Sequence, residues 1–273
     1  MAAAPLFIDG PAGRLFAVYH PAAAPTAPAL LYVHPFAEEM NRCRRMAALQ
    51  ARAFAAAGRA VLVLDLSGCG DSDGEFDDSR WDGWRADVAA GIDWLRARGH
   101  RRVGLWGLRL GALLAAEAAR DSEVADLLLW QPVASGRTHL TQFLRIRLAA
   151  AITRAGGGGE TTQTLRAALS AGTTVEVAGY GLSGAMAAAI DDRMLAPLTP
   201  PDGVATHWLE VAGEASGTLP PASAAVAEAW RAAGRDVRAA VVAGDPFWAT
   251  AEIAVAPALI EASLRALAET APA

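Results

Sequence analysis

The sequence of 273 residues contains no lysine, because all 24 of its basic residues are arginines. Lysine chemistry, either a Schiff base or the phosphate-binding lysine of a P-loop, is therefore excluded. There are two cysteines, Cys43 and Cys69, which are too few for a disulfide framework and lack the spacing of a metal site. We expect no metal and no cofactor.

Long apolar runs and basic runs are also missing. Charged residues or glycine interrupt each alanine-rich segment before about 18 residues, which is too short for an integral membrane segment. The net charge of −5 gives no reason to expect nucleic-acid binding. The N-terminus lacks the charged and apolar regions of a signal peptide, so we expect a cytoplasmic protein.

The rest of the sequence indicates one large α/β domain with an insertion. Hydrophobic residues make up 53% of the chain, which is enough for a sizeable core. Apolar runs typical of buried strands alternate with helical segments, which predicts a mostly parallel sheet with helices on both faces. The predicted strands are 30–33, 60–66, 103–106, 124–130, 206–211 and 237–242. A hairpin over 6–8 and 14–19 turns at Asp9-Gly10.

Between the fourth and fifth of these strands the alternation stops. The pattern divides the chain into a core (1–134 and 202–273) and a helical cap without strands (135–201), which includes a glycine hinge at 156–159. One predicted cap helix places Leu140, Phe143, Leu144, Leu148 and Ile152 on a single face. That face either covers a ligand pocket or contacts membrane lipid or an acyl chain.

The segment 103–116 predicts a strand, a tight glycine turn and a helix. At its centre is Gly107-Leu108-Arg109-Leu110-Gly111, where any bulk at either glycine would collide with the folded-back chain. The α/β-hydrolase pattern at such an elbow is G-x-S-x-G, in which the serine attacks an ester carbonyl. Arg109 stands at the serine position here. A guanidinium has five donors, no acceptor and a permanent charge, so it cannot be the nucleophile.

Three features together resemble the α/β-hydrolases over nearly the whole chain. They are His34-Pro35 after one buried strand, the glycine-rich stretch 65–72 after the next, and the elbow after the third. In finer detail the chain is similar to the exosortase A system-associated hydrolases of the second type. The segments that carry this likeness are Val33–Asn41, Gly104–Arg109 and Gly244–Trp248. Such proteins accompany bacterial protein-sorting and exopolysaccharide gene clusters, so the resemblance implies that export machinery is a possible partner.

The resemblance also implies positions for an oxyanion hole. Its donors would be the backbone N–H groups of Leu110 and, in the loop after His34-Pro35, Phe36. Backbone donors survive side-chain substitution, so the hole is expected to persist without the serine. His34 either contributes to a ligand site or only shapes its loop through hydrogen bonds.

The two other triad positions of the resemblance are also altered. The chain after the last strand has Asp245 where a histidine is expected. The acid position is Glu214 or, inside the preceding strand, Glu210. The remaining histidines are His20 and His100 in predicted surface connections, His139 at the start of the cap, and His207 within a strand.

Two hypotheses of different class remain. In the first, the protein is non-catalytic and binds a small-molecule, anionic or acylated ligand. Arg109 then faces Asp245 and Glu214 in a charge cluster, which either fills an inactive pocket or binds a carboxylate or phosphate at the helix N-terminus. In the second, the protein is an atypical ester or thioester hydrolase or acyltransferase with a non-standard nucleophile, Ser183 or Cys69.

Overall fold

A computed structural model describes residues 2–153, 159–215 and 217–268. The strands are β1 (Ala4–Asp9), β2 (Arg14–His20), β3 (Ala29–Val33), β4 (Ala60–Leu64), β5 (Val103–Leu108), β6 (Asp126–Trp130), β7 (Val175–Val177), β8 (Tyr180–Leu182), β9 (Ala205–Ala212) and β10 (Val237–Ala243). The helices are α1 (Glu38–Ala56), α2 (Trp81–Ala97), α3 (Leu110–Asp121), α4 (Gly136–Thr153), α5 (Thr162–Ser170), α6 (Gly184–Asp191), α7 (Pro221–Ala232) and α8 (Pro257–Ala268), with a 3₁₀ turn at Phe76–Asp78.

Eight strands form one sheet in the order β1-β2-β4-β3-β5-β6-β9-β10. The pairs β1–β2 and β2–β4 are antiparallel, and all the other pairs in this sheet are parallel. The predicted parallel sheet with an antiparallel hairpin at one edge is therefore confirmed. The central strands β3 and β5 are buried along their whole length, which explains why their sequences are continuous apolar runs.

The core has two parts, one on each face of the sheet. On one face Trp81, Trp84 and Leu113 from α2 and α3 are buried, as the pattern of the α2 segment predicted for its tryptophans. On the other face Phe54 of α1 packs with Trp106 of β5, and Trp106 packs with Trp130 of β6. Helices on both faces thus hold β3 and β5 rigidly, and their carboxyl ends share one edge.

The insertion between β6 and β9 departs from its prediction in one respect. It contains helices α4–α6, as expected, but also the antiparallel hairpin β7–β8. Ala178 and Gly179 both have positive φ, 52° and 87°, which is the backbone of a tight hairpin turn. Residues 156–158 of the predicted glycine hinge lie outside the described residues. On α4 the side chains of Leu140, Phe143 and Leu144 are buried, while Ile152 is exposed.

The last helix begins at Pro257 rather than at residue 250. Proline suits the first turn of a helix, because its missing N–H is not needed there, and it disfavours helix in the residue before it. None of the described helices combines the length and apolarity needed to cross a lipid bilayer.

The turn between β5 and α3 is as tight as the glycines predicted. A Cβ at Gly107 would lie 2.4 Å from Ala112 Cα, and one at Gly111 would lie 2.2 Å from the carbonyl oxygen of His34. Both neighbours are backbone, so neither can move away as a flexible side chain would. The close approach also places the start of α3 directly against the loop after β3.

Gly111→Ala is expected to lower the free energy of unfolding by about 3 kcal/mol, because the new methyl group must displace the His34 carbonyl. Gly213→Ala is the matched control, since a Cβ there meets no described atom within 4 Å. That variant should change stability by less than about 0.5 kcal/mol. Urea denaturation measures both variants, and equal losses of stability would contradict this account of the elbow.

Candidate active-site pocket

Arg109 occupies the strained position of the elbow. Its backbone has φ 56° and ψ −120°, a conformation that costs a non-glycine residue about 1–3 kcal/mol. Three backbone hydrogen bonds hold it there. The Arg109 N–H donates to the Trp130 carbonyl (3.0 Å), and the Arg109 carbonyl accepts from the N–H groups of Ala112 (3.1 Å) and Val133 (3.3 Å). The elbow is therefore formed, and it presents an arginine.

The Arg109 side chain is paired with Glu39 in the first turn of α1. Arg109 Nε donates to Glu39 Oε1 at 3.2 Å, and the two side chains are only 17% and 10% exposed. The guanidinium carbon also lies 5.4 Å from the ring centre of Trp248, within the range of a cation–π contact. A buried guanidinium is unfavourable unless it is paired, and Glu39 provides the partner.

The structure does not bring Asp245 or Glu214 to Arg109. Both side chains are exposed, and within the described part of the chain neither forms an ion pair with Arg109. The loops after β9 and β10 turn these residues towards solvent, whereas α1 starts just after β3, the neighbour of β5. Of the two acid candidates, Glu210 is the buried one. It accepts from Trp208 Nε1 (2.9 Å) and Gln131 Nε2 (3.3 Å).

Burial gives the Glu39 carboxyl unusual electrostatics. Desolvation raises its pKa from 4.5 to about 7, with the charge of Arg109 opposing the rise and Glu38 adding to it. Glu39 Oε2 is fully buried and has no hydrogen-bond partner among the described residues. Burial therefore disfavours the charged form of this carboxyl, and the ion pair with Arg109 favours it.

His139, which sequence reasoning placed at the start of the cap without a role, lies beside the elbow. Its side chain is buried in α4 and lines cavities on both sides of Arg109. Neither ring nitrogen has a hydrogen-bond partner in the part of the chain that the structure describes. Burial, with a smaller effect of Arg109, lowers its pKa to about 3, so the ring is neutral at physiological pH. No sequence signal distinguished it, since it flanks the apolar face of an amphipathic helix.

Two other histidines, His34 and His100, form hydrogen bonds within the fold. His34 Nδ1 donates to the Pro35 carbonyl (2.7 Å), and its Nε2 accepts from the Leu66 N–H (3.3 Å), which supports the interpretation that His34 shapes its loop. His20 and His100 are buried rather than on the surface. His100 is held by the Ala27 carbonyl and the Tyr19 hydroxyl, so the connection that contains it packs inward.

Two cavities flank the Arg109 side chain. The first, about 310 Å³, has a wall of Phe36, Phe143, Ile146 and Trp248, together with Glu38, Glu39 and Arg42. The second, about 340 Å³, is lined by polar residues (Gln131, Ser135, Thr138, Glu210 and Ser223) and by apolar ones (Pro132, Val133, Ala134, Pro220 and Ala222). Arg109, His139 and Gln142 line both cavities.

The two predicted oxyanion donors are the N–H groups of Leu110, the first residue of α3, and Phe36, in the loop after β3. Neither N–H donates to an acceptor among the described residues. Phe36 lines the first cavity beside Arg109, whereas Leu110 lines a separate cavity of about 10 Å³ with Trp81 and Trp84.

Of the two alternative nucleophiles, Ser183 is engaged in a hydrogen bond and Cys69 is unreactive. Ser183 is the N-cap of α6, where its hydroxyl oxygen accepts from the Met186 N–H (3.3 Å). Cys69 is buried, and burial raises the pKa of its thiol, so the reactive thiolate is not formed. Within the described ranges, no three His, Cys, Asp or Glu side chains lie close enough together to hold a metal ion.

Comparison with known families gives one match. The sequence profile of the X-Pro dipeptidyl-peptidase (S15 family) matches residues 15–139, the part of the chain that runs from β2 to the start of α4 and includes the elbow. No curated protein sequence matches the chain.

Solved structures resemble the chain over nearly its whole length. Est1E from Butyrivibrio proteoclasticus, determined with ferulic acid bound, is 17% identical with a TM-score of 0.68, covering 97% of this chain and 98% of that one. XC6422 from Xanthomonas campestris, described as an α/β serine hydrolase without a lid, is 18% identical with a TM-score of 0.61, covering 100% and 97%. The α/β hydrolase GrgF from Penicillium sp. sh18 is 15% identical with a TM-score of 0.66, covering 99% of each chain. At such identities the likeness shows the fold alone.

Glu39→Gln is expected to flatten the pH dependence of stability between about pH 4.5 and pH 7. The pKa of Glu39 is raised in the folded state, so the folded chain keeps a proton that the unfolded chain releases. The stabilisation that this retained proton provides is fully present below about pH 4.5. It is lost as the pH rises to about 7, and the loss amounts to up to about 3 kcal/mol.

Urea denaturation at several pH values measures this difference. Glu214→Gln, which changes an exposed carboxylate of the same type, is the control and should keep the wild-type slope. A Glu39→Gln profile parallel to that of the wild type would show that Glu39 has an ordinary pKa.

Proposed function

We propose that this chain, which has the α/β-hydrolase fold, is a non-catalytic ligand-binding protein whose elbow pocket holds an anionic or acylated small molecule. The observation that carries the proposal is Arg109 itself. It occupies the strained elbow position, half-buried and paired with Glu39, where the nucleophile of a serine hydrolase would stand.

Arg109 has hydrogen-bond donors that are available to a ligand. Only its Nε is used by Glu39, and its two terminal nitrogens have no hydrogen-bond partner among the described residues. Two parallel N–H groups of a guanidinium fit the oxygens of a carboxylate, sulfonate or phosphate.

The first cavity suits an anion with an apolar tail. Its wall combines Arg42 and Arg109 with Glu38 and Glu39, and burial raises the pKa of both carboxyls. Burial thus disfavours the negative charge of both carboxyls, while the two arginines keep theirs. The aromatic and aliphatic wall beside these charges would cover an alkyl or acyl chain.

Catalysis by a non-standard route has little support. The two free backbone N–H groups would suit an oxyanion, but the described residues offer no active nucleophile or accessible base. His139, with a pKa of about 3, is too weak a base for neutral pH, and Glu39 Oε2 is fully buried, so water does not reach it. Ser183 and Cys69 are committed to structure.

The cellular setting follows from the resemblance to the exosortase A system-associated hydrolases. Each of the three segments that carry it contributes to the pocket: Phe36, Glu38 and Glu39 come from Val33–Asn41, Arg109 from Gly104–Arg109, and Trp248 from Gly244–Trp248. We therefore place the protein in a bacterial protein-sorting or exopolysaccharide system, in the cytoplasm, with helices α4–α6 acting as the cap of the pocket.

Octanesulfonate, which stays anionic at all accessible pH values, is expected to bind this pocket. Arg109→Leu should weaken its binding at least tenfold, because the variant keeps the apolar bulk and removes the cation. Arg14→Leu is the control, since Arg14 is an exposed arginine of the hairpin β1–β2 paired with Asp73. Isothermal titration calorimetry measures the three affinities. Equal affinities would contradict the proposed site.

The folded protein should neither label with a fluorophosphonate probe nor hydrolyse p-nitrophenyl butyrate faster than its Arg109→Ala variant. The physical reason is that the elbow has no nucleophilic side chain. Mass spectrometry of the probe-treated chain and an ester assay measure this. A covalent adduct on any serine would overturn the non-catalytic proposal if the folded protein forms it and the denatured protein does not.

A further inference from the structure

A further cavity, of about 260 Å³, lies between helix α1 and the strands β2, β3 and β4. We call it the α1 cavity. It shares no lining residue with either cavity beside Arg109, so the proposed anion site does not use it. The residues that matter for its chemistry are Val18, His20 and Val63 from the strands, and Ala47, Ala48 and Arg52 from the helix.

Small side chains on the helix explain why this space is open. Side chains two positions apart on a strand point to the same face, so Val18 and His20 both face α1. The helix presents Ala47 and Ala48 to them, and neither alanine has the length to fill the gap. Val63 is accordingly partly exposed, whereas the other four residues of β4 are buried.

His20 is a polar group of this cavity that the fold does not use. Its side chain is 5% exposed, and it has no hydrogen bond to any of the described residues. Burial and, to a smaller extent, the charge of Arg52 lower its pKa, so the ring is largely neutral at pH 7. A neutral imidazole keeps one N–H donor for a ligand.

Arg52 supplies the unpaired charge of the cavity. The other two charged residues of the lining, Arg44 and Asp65, form an ion pair with two hydrogen bonds, so they neutralise each other. Arg52 is exposed and has no ion-pair partner in the described part of the chain. The cavity therefore combines one available positive charge with a lining that is mostly apolar.

We infer that the α1 cavity is a second binding site, which holds a small monocarboxylate with a compact apolar body. Its carboxylate contacts Arg52 and His20, and its apolar part lies against Val18, Val63 and Ala47. One guanidinium matches one negative charge. A mostly apolar wall disfavours the second charge of a phosphate monoester.

The volume limits the size of this ligand. Sites for drug-sized molecules measure about 300–1,000 Å³, and the α1 cavity lies below that range. An aromatic acid or a short fatty acid fits, whereas a long lipid does not. The site is independent of the one proposed at Arg109, because the two have no residue in common.

Isothermal titration calorimetry of the full chain with 4-bromobenzoate tests the inference. 4-Bromobenzamide has nearly the same shape without the charge. We expect it to bind at least tenfold more weakly, because it offers Arg52 no anion. Equal affinities of the acid and the amide, or no binding of the acid, would overturn the inference.

Two pairs of variants on α1 test the position of the site. Arg52→Gln should weaken 4-bromobenzoate at least tenfold, whereas Arg45→Gln, at an exposed arginine outside the cavity, should change its affinity less than twofold. Ala48→Leu fills part of the cavity and should also weaken binding at least tenfold. Ala53→Leu, at a partly exposed alanine outside the cavity, is its control. Equal effects within either pair would overturn the inference.

A crystal soaked with 4-bromobenzoate locates the ligand through the anomalous scattering of bromine. We expect bromine in the α1 cavity of the wild type and of Arg109→Leu alike. Bromine only beside Arg109 would overturn the inference and leave the proposed function intact. Failure of octanesulfonate to bind would have the opposite result, since it would overturn the proposed function and leave the α1 site intact.

Discussion

The partly buried ion pair between Arg109 and Glu39 is the interaction on which the site depends. It joins the elbow after β5 to the first turn of α1 after β3, two neighbouring strands at the centre of the sheet. Three backbone hydrogen bonds fix the arginine in a strained conformation. A fold that ordinarily uses this strain to expose a nucleophile here uses it to hold a cation at the same point.

Burial raises the pKa of Glu39 to about 7, while the charge of Arg109 opposes that rise. Only Nε of Arg109 is used by Glu39, so its terminal nitrogens keep donors without a partner among the described residues. These donors are the basis of the proposed anion site, and the side chain at the elbow is not a nucleophile.

Much of the fold could be predicted because its signals are local. Continuous apolar runs such as Ala29–Val33 mark strands buried on both faces, and Gly107 and Gly111 mark a turn that no larger residue fits. The site was predicted less well, because Arg109 and Glu39 are 70 positions apart and no spacing rule connects them. Strand order pointed to Asp245 and Glu214, but their loops turn to solvent. His139 flanks the apolar face of an amphipathic helix, so the sequence pattern did not distinguish it. The strands of the hairpin β7–β8 are too short to show an alternation of polar and apolar residues.

A crystal structure of the chain soaked with octanesulfonate tests the central claim most directly. The account predicts sulfonate oxygens within hydrogen-bond distance of the terminal nitrogens of Arg109, with the alkyl chain against Trp248 and Phe143. A probe bound elsewhere, with Arg109 still in contact with Glu39 alone, would contradict it. So would an arginine that had turned out of the pocket to leave the elbow empty.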